Sequence, residues 1–274
     1  MTHFIRVAFF LAMLSADIST TAQADTATLV SIPRPRGATQ AFILIKPDHP
    51  VASVILFAGG SGVLGLSSAS AMNRGNANFL VRSRDKFAAH NFIVAVVDAP
   101  SDRQQGMNAI FRMSSAHAGD IVAVATYLRN ETAVPVWLVG TSMGTFSAAS
   151  GAIAGKDLDG LVLTSTVTRS PLEWAIAKSH PNGVADMALS EITVPTLIMS
   201  HREDTCTASP AVDAEKLRMR LTKASKVEIA LLDGGDPPQS APCEAKAPHG
   251  YFGIEAEAVD TIAKFVESSR DPAN

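Results

Sequence analysis

Ser142 lies in the stretch Gly140-Thr141-Ser142-Met143-Gly144, which matches the pattern Gly-x-Ser-x-Gly. Apolar residues suited to a buried strand come before this stretch, and alanine-rich residues suited to a helix come after it. Two glycines at this spacing permit a very sharp strand-to-helix turn that exposes the hydroxyl of the central serine. The sequence therefore predicts Ser142 to be a nucleophile. The alternative interpretation is a glycine-bearing turn in which the serine caps the helix.

A serine hydroxyl becomes a good nucleophile only when a neighbouring base takes its proton. His249 is the principal candidate for that base, because it stands in the loop His249-Gly250-Tyr251-Phe252-Gly253 just before the last predicted helix. His201 and His180 also follow Ser142 in the sequence. His201 directly ends a predicted strand and precedes the candidate acid, whereas His180 lies in a possible lid, so His249 is preferred.

The base in turn needs a carboxylate that holds its tautomer and stabilises its charged form. Where the serine turn is catalytic, this acid lies between the serine and the histidine in the sequence. Asp204 closes a short turn after a predicted strand at 196–200, which is a suitable place for an orienting acid. Glu203 is the nearest alternative, and Asp233 and Asp236 follow the next predicted strand.

A glycine-rich stretch, Leu56-Phe57-Ala58-Gly59-Gly60-Ser61-Gly62, follows an early predicted strand. Acyl transfer to a serine places negative charge on the substrate carbonyl oxygen, and backbone N–H groups stabilise that charge. We predict that Gly60 or Ser61 supplies one such N–H group and that Met143 supplies the other. A phosphate-binding loop is the alternative, but the stretch matches neither the P-loop pattern nor the dinucleotide-binding pattern.

Arg112 lies just before a predicted helix and is a candidate ligand for a carboxylate on the substrate. The alternative is that its guanidinium binds loop carbonyls or pairs with a neighbouring aspartate. His117 and Asp120 share one face of that helix because they are three residues apart. We expect these two residues to have a structural role.

Short apolar runs alternate with longer helical patterns along the chain, which is typical of an α/β protein with a mostly parallel sheet and helices on both faces. The predicted strands cover 41–45, 53–57, 92–97, 136–139, 160–164, 196–200 and 227–232. The predicted helices cover 78–89, 115–129, 143–154, 210–221 and 254–266. No repeat or linker divides the sequence, so we predict a single domain over 25–274. The segment 167–192 is a possible small lid of one or two helices.

Residues 1–24 have the layout of a secretory signal peptide. Basic residues are followed by a short apolar run and by small residues that end at Ala24, the expected cleavage site. The apolar run is too short to cross a bilayer. We therefore expect a protein that is exported to the periplasm or secreted. In that setting the only two cysteines, Cys206 and Cys243, are expected to form a disulfide bond.

The charge balance bears on the kind of partner. The 274 residues include 23 basic and 26 acidic side chains, a net charge of -3, and no basic run forms a stripe. This balance argues against binding to nucleic acid or to an anionic membrane surface. No segment after the signal peptide is apolar enough to predict membrane insertion. The expected partner is a small molecule, and the sequence leaves the oligomeric state unspecified.

Four elements, FAGGSG, GTSMG, SHRED and HGYFG, occur in the order and spacing of a serine hydrolase with the α/β-hydrolase fold, which the chain resembles. The resemblance spans essentially all of the mature chain. It implies that Ser142 is the nucleophile, His249 the general base and acid, and Asp204 the residue that orients His249. The chain has Ala58-Gly59-Gly60 where lipases and esterases of the family often have His-Gly or His-Gly-Gly-Gly, which weakens a link to that branch.

The resemblance implies hydrolysis of a small-molecule carboxylic ester through an acyl-enzyme, without a metal or an organic cofactor. A peptidase or amidase of the same fold is one alternative. A non-catalytic binding protein with a hydrolase-like fold is another, because a fold does not fix a function.

Overall fold

The computed structural model describes Met1 and residues 26–155 and 157–270 of the chain. The predicted signal peptide, apart from Met1, and its expected cleavage site lie outside these residues. Within the described part of the chain, no helix is both long enough and apolar enough to cross a membrane.

One sheet contains all eight strands of the described residues, in the order β1-β2-β4-β3-β5-β6-β7-β8 when the strands are numbered along the chain. The strands are β1 (Thr26–Pro33), β2 (Thr39–Lys46), β3 (Ala52–Phe57), β4 (Phe92–Val97), β5 (Val136–Thr141), β6 (Gly160–Thr164), β7 (Thr196–His201) and β8 (Val227–Leu232). β2 runs antiparallel to both β1 and β4, and every other neighbouring pair is parallel. The predicted mostly parallel sheet is confirmed.

Helices cover both faces of this sheet, which is why the central strands β3 to β7 consist of buried residues throughout. The helices are α1 (Phe79–Arg82), α2 (Arg84–Ala89), α3 (Ala109–Arg112), α4 (Ser115–Glu131), α5 (Gly144–Ala154), α6 (Ala214–Arg220) and α7 (Glu255–Ser268). Side chains of α3, α4, α5 and α6 form the core on one face. Side chains of α1, α2 and α7 form the core on the other face.

The seven predicted strands are confirmed to within two residues at each end, but β1 and the short helix α3 were not predicted. The predicted helix at 78–89 is divided at Ser83, whose buried backbone leaves helical geometry with φ −97° and ψ 2°. The predicted helix at 210–221 contains a 3-10 turn at Ala211–Asp213, and only then does α6 begin.

The segment 167–192 contains two short 3-10 helices, Gly183–Asp186 and Leu189–Glu191, and no α-helix. Much of it packs into the core on the face of α4 and α5. The buried apolar side chains that do so are Val167, Ile176, Val184, Ala185, Met187, Leu189 and Ile192. A lid function for this segment stays a prediction.

Candidate active site

Ser142 occupies the turn between β5 and α5 with a φ of 52°, a left-handed conformation that is uncommon for a residue with a side chain. Its N–H group donates to the carbonyl of Thr164 at 3.0 Å. The flanking glycines make the turn possible. A Cβ on Gly140 would lie 2.5 Å from the carbonyl oxygen of Gly144, and a Cβ on Gly144 would overlap the carbonyl oxygen of Phe57. The motif therefore forms the sharp turn that its glycine spacing predicts.

His249 and Asp204 are joined by a hydrogen bond of 2.9 Å between Nδ1 and Oδ2, and both side chains are buried. The N–H group of Cys206 donates to Oδ1 of Asp204 at 2.8 Å, and the hydroxyl of Ser209 donates to Oδ2 at 3.1 Å. The carboxylate is thus fixed where it accepts a hydrogen bond from the Nδ1–H group of the imidazole. In this tautomer Nε2 carries a lone pair and is a proton acceptor.

The Nε2 atom of His249 is buried and makes no hydrogen bond to any described residue. His249 and Ser142 line the same cavity, whose volume is about 350 Å³. No hydrogen bond joins these two described side chains. Contacts between a nucleophile and its base often tighten only when substrate binds. The cavity thus contains a serine hydroxyl and an imidazole nitrogen with free acceptor capacity.

His201, one of the two alternative bases, and Glu203 and Asp233, two of the three alternative acids, make other contacts. In His201, Nε2 bonds to the carbonyl of Gly234 at 2.8 Å, and Nδ1 accepts the N–H of Glu203 at 3.1 Å, so both ring nitrogens are engaged. The side chain of Glu203 is exposed. Asp233 forms an exposed ion pair with Arg202. Asp204 hydrogen-bonds to His249, whereas Glu203 and Asp233 do not.

Groups that the sequence analysis did not identify hold the loop of His249. The fully buried hydroxyl of Tyr251 donates to the carbonyl of Met199 at 2.9 Å and receives a hydrogen bond of 3.2 Å from Ser165. Burial raises the pKa of Tyr251, so its hydroxyl remains a donor. Arg82 donates to the carbonyl of Gly250 at 2.6 Å. The only sequence signal for this support was a tyrosine beside glycines and a histidine.

The backbone N–H groups of Gly60, Ser61 and Met143 donate no hydrogen bond to any described residue. Gly60 and Ser61 line the cavity that contains Ser142, whereas Met143 lines a second cavity of about 310 Å³. Gly59 packs so closely against the serine turn that an added Cβ would lie 3.0 Å from the Cβ of Ser142. Free donors therefore lie beside Ser142, as an oxyanion hole requires, and the choice between Gly60 and Ser61 stays open.

The second cavity is mainly apolar and lies between the serine turn and the segment 167–192. Its lining residues are Asn108, Ala109, Ile110, Met143, Trp174, Ala175 and Ile176. An apolar wall beside Ser142, the candidate nucleophile, suits an apolar ligand.

The structure contradicts the expectation that Arg112 binds a substrate carboxylate. Its side chain is completely buried, and burial lowers its pKa to about 9. The guanidinium donates to the hydroxyl of Ser147 and to the carbonyls of Met107, Ala58 and Gly60. The alternative given above, that this arginine binds loop carbonyls, is the one the structure supports.

Cys206 and Cys243 form a disulfide bond, as predicted, and their Cα atoms are 4.6 Å apart. The bond joins the loop of Asp204 to a loop that lines the cavity of Ser142. Donor atoms of Asp204, Cys206 and His249 all lie within 4.8 Å of one another. The sulfur of Cys206 is consumed by the disulfide and Nδ1 of His249 by the carboxylate, so this cluster does not offer three metal ligands.

Comparison with protein-family models and with curated protein sequences finds no match for this chain. Solved structures similar to it include the esterase Pf2001 of Pyrococcus furiosus, with a TM-score of 0.61 and 14% identity over 89% of this chain and 93% of that one. Fungal esterases from Rhizomucor miehei give 0.61 and 13% over 92% and 85%. A cold-adapted esterase from an Arctic intertidal metagenomic library gives 0.58 and 14% over 92% and 99%.

These likenesses, together with the strand order, show that the chain has the α/β-hydrolase fold. The fold that the four sequence elements imply is confirmed.

Proposed function

We propose that this protein is an exported serine hydrolase that cleaves carboxylic esters through an acyl-enzyme. One observation carries the proposal. Asp204 engages Nδ1 of His249, and this contact leaves Nε2 of the same ring without a partner in the cavity that Ser142 lines. The named esterases of the same fold support an ester as the substrate.

In the first half of the reaction, Nε2 of His249 accepts the proton of the Ser142 hydroxyl while Oγ attacks the ester carbonyl. The carbonyl π electrons move to the oxygen, and free N–H groups of the serine turn and of the glycine-rich loop donate to it. Asp204 stabilises the imidazolium. The C–O bond to the alcohol then breaks, and His249 returns its proton to the leaving alkoxide. The products are a free alcohol and acyl-Ser142.

Water completes the second half through the same groups. His249 removes a proton from the water molecule, and the hydroxide oxygen adds to the acyl carbon. The bond from the acyl carbon to Oγ of Ser142 breaks, and His249 protonates Oγ. A carboxylic acid is released and the enzyme returns to its starting state.

The test compares the wild-type protein with Ser142→Ala and with Ser190→Ala, an exposed serine away from the cavity. A fluorophosphonate probe should label the wild type and Ser190→Ala but not Ser142→Ala. With p-nitrophenyl esters of several chain lengths, Ser142→Ala should lose more than about 1,000-fold in turnover. Faster cleavage of aminoacyl anilides than of esters would replace the esterase by a peptidase. An unlabelled, inactive wild type would favour a binding protein.

Export rests on the layout of residues 1–24 and is supported by the disulfide bond, which persists in oxidising compartments. Expression of the full chain in a Gram-negative host should yield a periplasmic or secreted protein that begins near Asp25. N-terminal sequencing of the purified protein checks this. An unprocessed cytoplasmic product would contradict it.

A further inference from the structure

Arg112 hydrogen-bonds to the glycine-rich loop and to helix α5, which are the two segments beside the proposed oxyanion hole. Its Nη2 donates to the carbonyls of Ala58 and Gly60, at 3.3 Å and 3.2 Å. Its Nη1 donates to the hydroxyl of Ser147 at 2.8 Å. Ser147 lies on α5, the helix that begins at the turn of Ser142. One buried guanidinium therefore links the glycine-rich loop to the helix that follows the nucleophile.

The bond to Gly60 acts on the N–H group of Ser61, because these two groups belong to one planar, trans peptide unit. A cation held against the carbonyl oxygen of Gly60 forces the N–H of Ser61 to point to the opposite side. It also draws electron density toward the oxygen and makes that N–H a stronger donor. The N–H of Ser61 makes no hydrogen bond to a described residue, and Ser61 lines the cavity of Ser142.

The surroundings of Arg112 are shaped for a guanidinium. Gly62 leaves room for it, since a Cβ there would overlap Nη2. The carbonyl of Met107 accepts from Nε at 3.3 Å. The ring of His117 lies 2.9 Å from the hydroxyl of Ser147 and adds no second cation, because burial and the charges of Arg112 and Arg36 lower its pKa to about 3.

We infer, given the proposed function, that Arg112 is a positioning residue that sets the orientation of the Gly60–Ser61 peptide in the oxyanion hole. It acts through that peptide and does not touch substrate. Its removal disturbs stabilisation of the tetrahedral intermediate more than it disturbs binding of the planar ester.

The test uses Arg112→Ala, Arg112→Lys and the destabilised control Leu128→Ala, which truncates a core side chain. With a p-nitrophenyl ester, both arginine variants should lose about 10- to 100-fold in kcat while KM changes little. A phenylboronic acid, which forms a tetrahedral adduct with a serine, should lose affinity by a similar factor. Guanidinium ion should restore part of the kcat of Arg112→Ala. Hydrogen exchange of residues 58–62, followed by mass spectrometry, should accelerate in both arginine variants.

Leu128→Ala should lower the melting temperature but keep the kcat and the boronate affinity of the wild type. The inference is overturned if arginine variants that fold keep wild-type kcat and exchange. It is also overturned if Leu128→Ala, at a comparable loss of stability, loses as much kcat as the arginine variants do. Should Arg112→Ala not fold, Arg112→Lys carries the test, since it keeps the charge but not the planar fork. If the wild type hydrolyses no ester, the proposed function fails, and the exchange data still decide whether Arg112 orders the loop.

An independent observation concerns charge in the cavity of Ser142. Arg74 and Glu244 both line this cavity, and they form no ion pair with each other or with another described residue. The carboxylate of Glu244 receives only the N–H of Ala241, at 3.3 Å. The backbone of Arg74 is held in place, since its N–H donates to the carbonyl of Leu64 at 3.0 Å. The exposed side chain of Arg74 makes no hydrogen bond to a described residue, so all of its donors are available to a ligand in this cavity.

We propose, again given the proposed function, that the natural ester carries a carboxylate and that Arg74 binds it. Guanidinium and carboxylate match in charge and in paired hydrogen-bond geometry. Glu244 opposes the same carboxylate and limits its affinity.

Pairs of esters that differ by one carboxylate test this second proposal. p-Nitrophenyl hemiglutarate and valerate differ by a charge on the acyl side, and 4-carboxyphenyl and phenyl butyrate differ by a charge on the alcohol side. In at least one pair, Arg74→Gln should reduce kcat/KM for the charged ester about threefold to tenfold relative to the neutral one. Glu244→Gln should raise that ratio, and the exposed control Arg218→Gln should leave it unchanged. Equal ratios for wild type and Arg74→Gln in both pairs would overturn the proposal without affecting the proposed esterase.

Discussion

The Nδ1 atom of His249 lies 2.9 Å from Oδ2 of Asp204, a carboxylate that also receives the N–H of Cys206 and the hydroxyl of Ser209. Asp204 in the loop after β7 and His249 in the loop before α7 are therefore held against each other. These contacts hold the imidazole of His249, which stands on a loop, in one orientation.

Replacing Asp204 by asparagine tests the role of this contact. An amide does not hold the imidazole in the tautomer that leaves Nε2 free, and it does not stabilise the imidazolium. We expect kcat for ester hydrolysis to fall about 10⁴-fold with little change in KM. The matched control is Asp233→Asn, which alters an exposed ion pair after the neighbouring strand and should keep wild-type kcat. A loss in Asp204→Asn no greater than in the control would contradict the proposed role.

Reduction of the disulfide should lower both stability and activity. The bond between Cys206 and Cys243 closes a loop with a sequence separation of 37, and such a loop is stabilised by about 4 kcal/mol in the chain-entropy model. Activity should fall because Cys206 holds Asp204 through its N–H group. Urea unfolding and kcat of the double variant Cys206→Ser, Cys243→Ser measure the two effects. Unchanged values in a variant without the bond would show that the loops need no crosslink.

Gly144→Ala should destabilise the folded protein because the added methyl group has no room. The added Cβ would overlap the backbone carbonyl of Phe57, so β3 and α5 must separate, at a cost of about 3 kcal/mol or more. The control is Gly119→Ala within α4, where the nearest atom to the new Cβ is 3.7 Å away. There the substitution should stabilise by about 0.5 to 1 kcal/mol. Urea unfolding of both variants checks the contrast, and equal stability would refute the steric argument.

The buried ring of His117 should make the protein sensitive to acid. Its pKa is lowered from 6.5 to about 3, first by burial and then by the charges of Arg112 and Arg36. Below pH 6.5 the His117 ring therefore binds a proton in the unfolded chain but stays neutral in the folded protein. The stability associated with the neutral ring is fully present above pH 6.5 and is lost progressively as the pH falls toward 3.

From pH 7 to pH 4.5 this single group should remove about 3 kcal/mol of stability. His117→Gln retains a polar group near Ser147 but does not titrate, so its stability should depend less on pH by about that amount. Urea unfolding at both pH values gives the comparison. Parallel pH profiles for wild type and variant would mean that the ring is protonated in the folded protein.

Much of the fold could be predicted because its signals are local. The strands β3 to β7 are short and mainly apolar runs, as strands buried on both faces usually are. β1 lies at the edge of the sheet and was not predicted, although part of its sequence, TATLVSIP, alternates polar and apolar residues as a half-buried strand does. The break at Ser83 escaped because the surrounding sequence has a continuous helical pattern.

Other features depended on contacts between residues far apart in the sequence. Spacing along the chain ranked Asp204 above Glu203 and Asp233, but only the packing of loops decided which carboxylate reaches His249. Packing likewise decided that Ser209 donates to Asp204 and that Tyr251 holds the loop of His249. The prediction that Arg112 binds a substrate carboxylate was wrong. Arginine side chains are usually exposed, and no local sequence pattern shows that this one is buried.

The sequence by itself determined the α/β alternation, the sharp turn that carries Ser142 and the order in which serine, acid and histidine follow one another. These follow from side-chain size, polarity and backbone freedom over a few neighbouring residues. Only the tertiary structure decided which acid contacts His249, which residues hold that contact, and that Arg112 supports the glycine-rich loop from within. Hydrogen-bond partners in a buried site are set by how distant segments pack, and one-dimensional spacing does not encode that geometry.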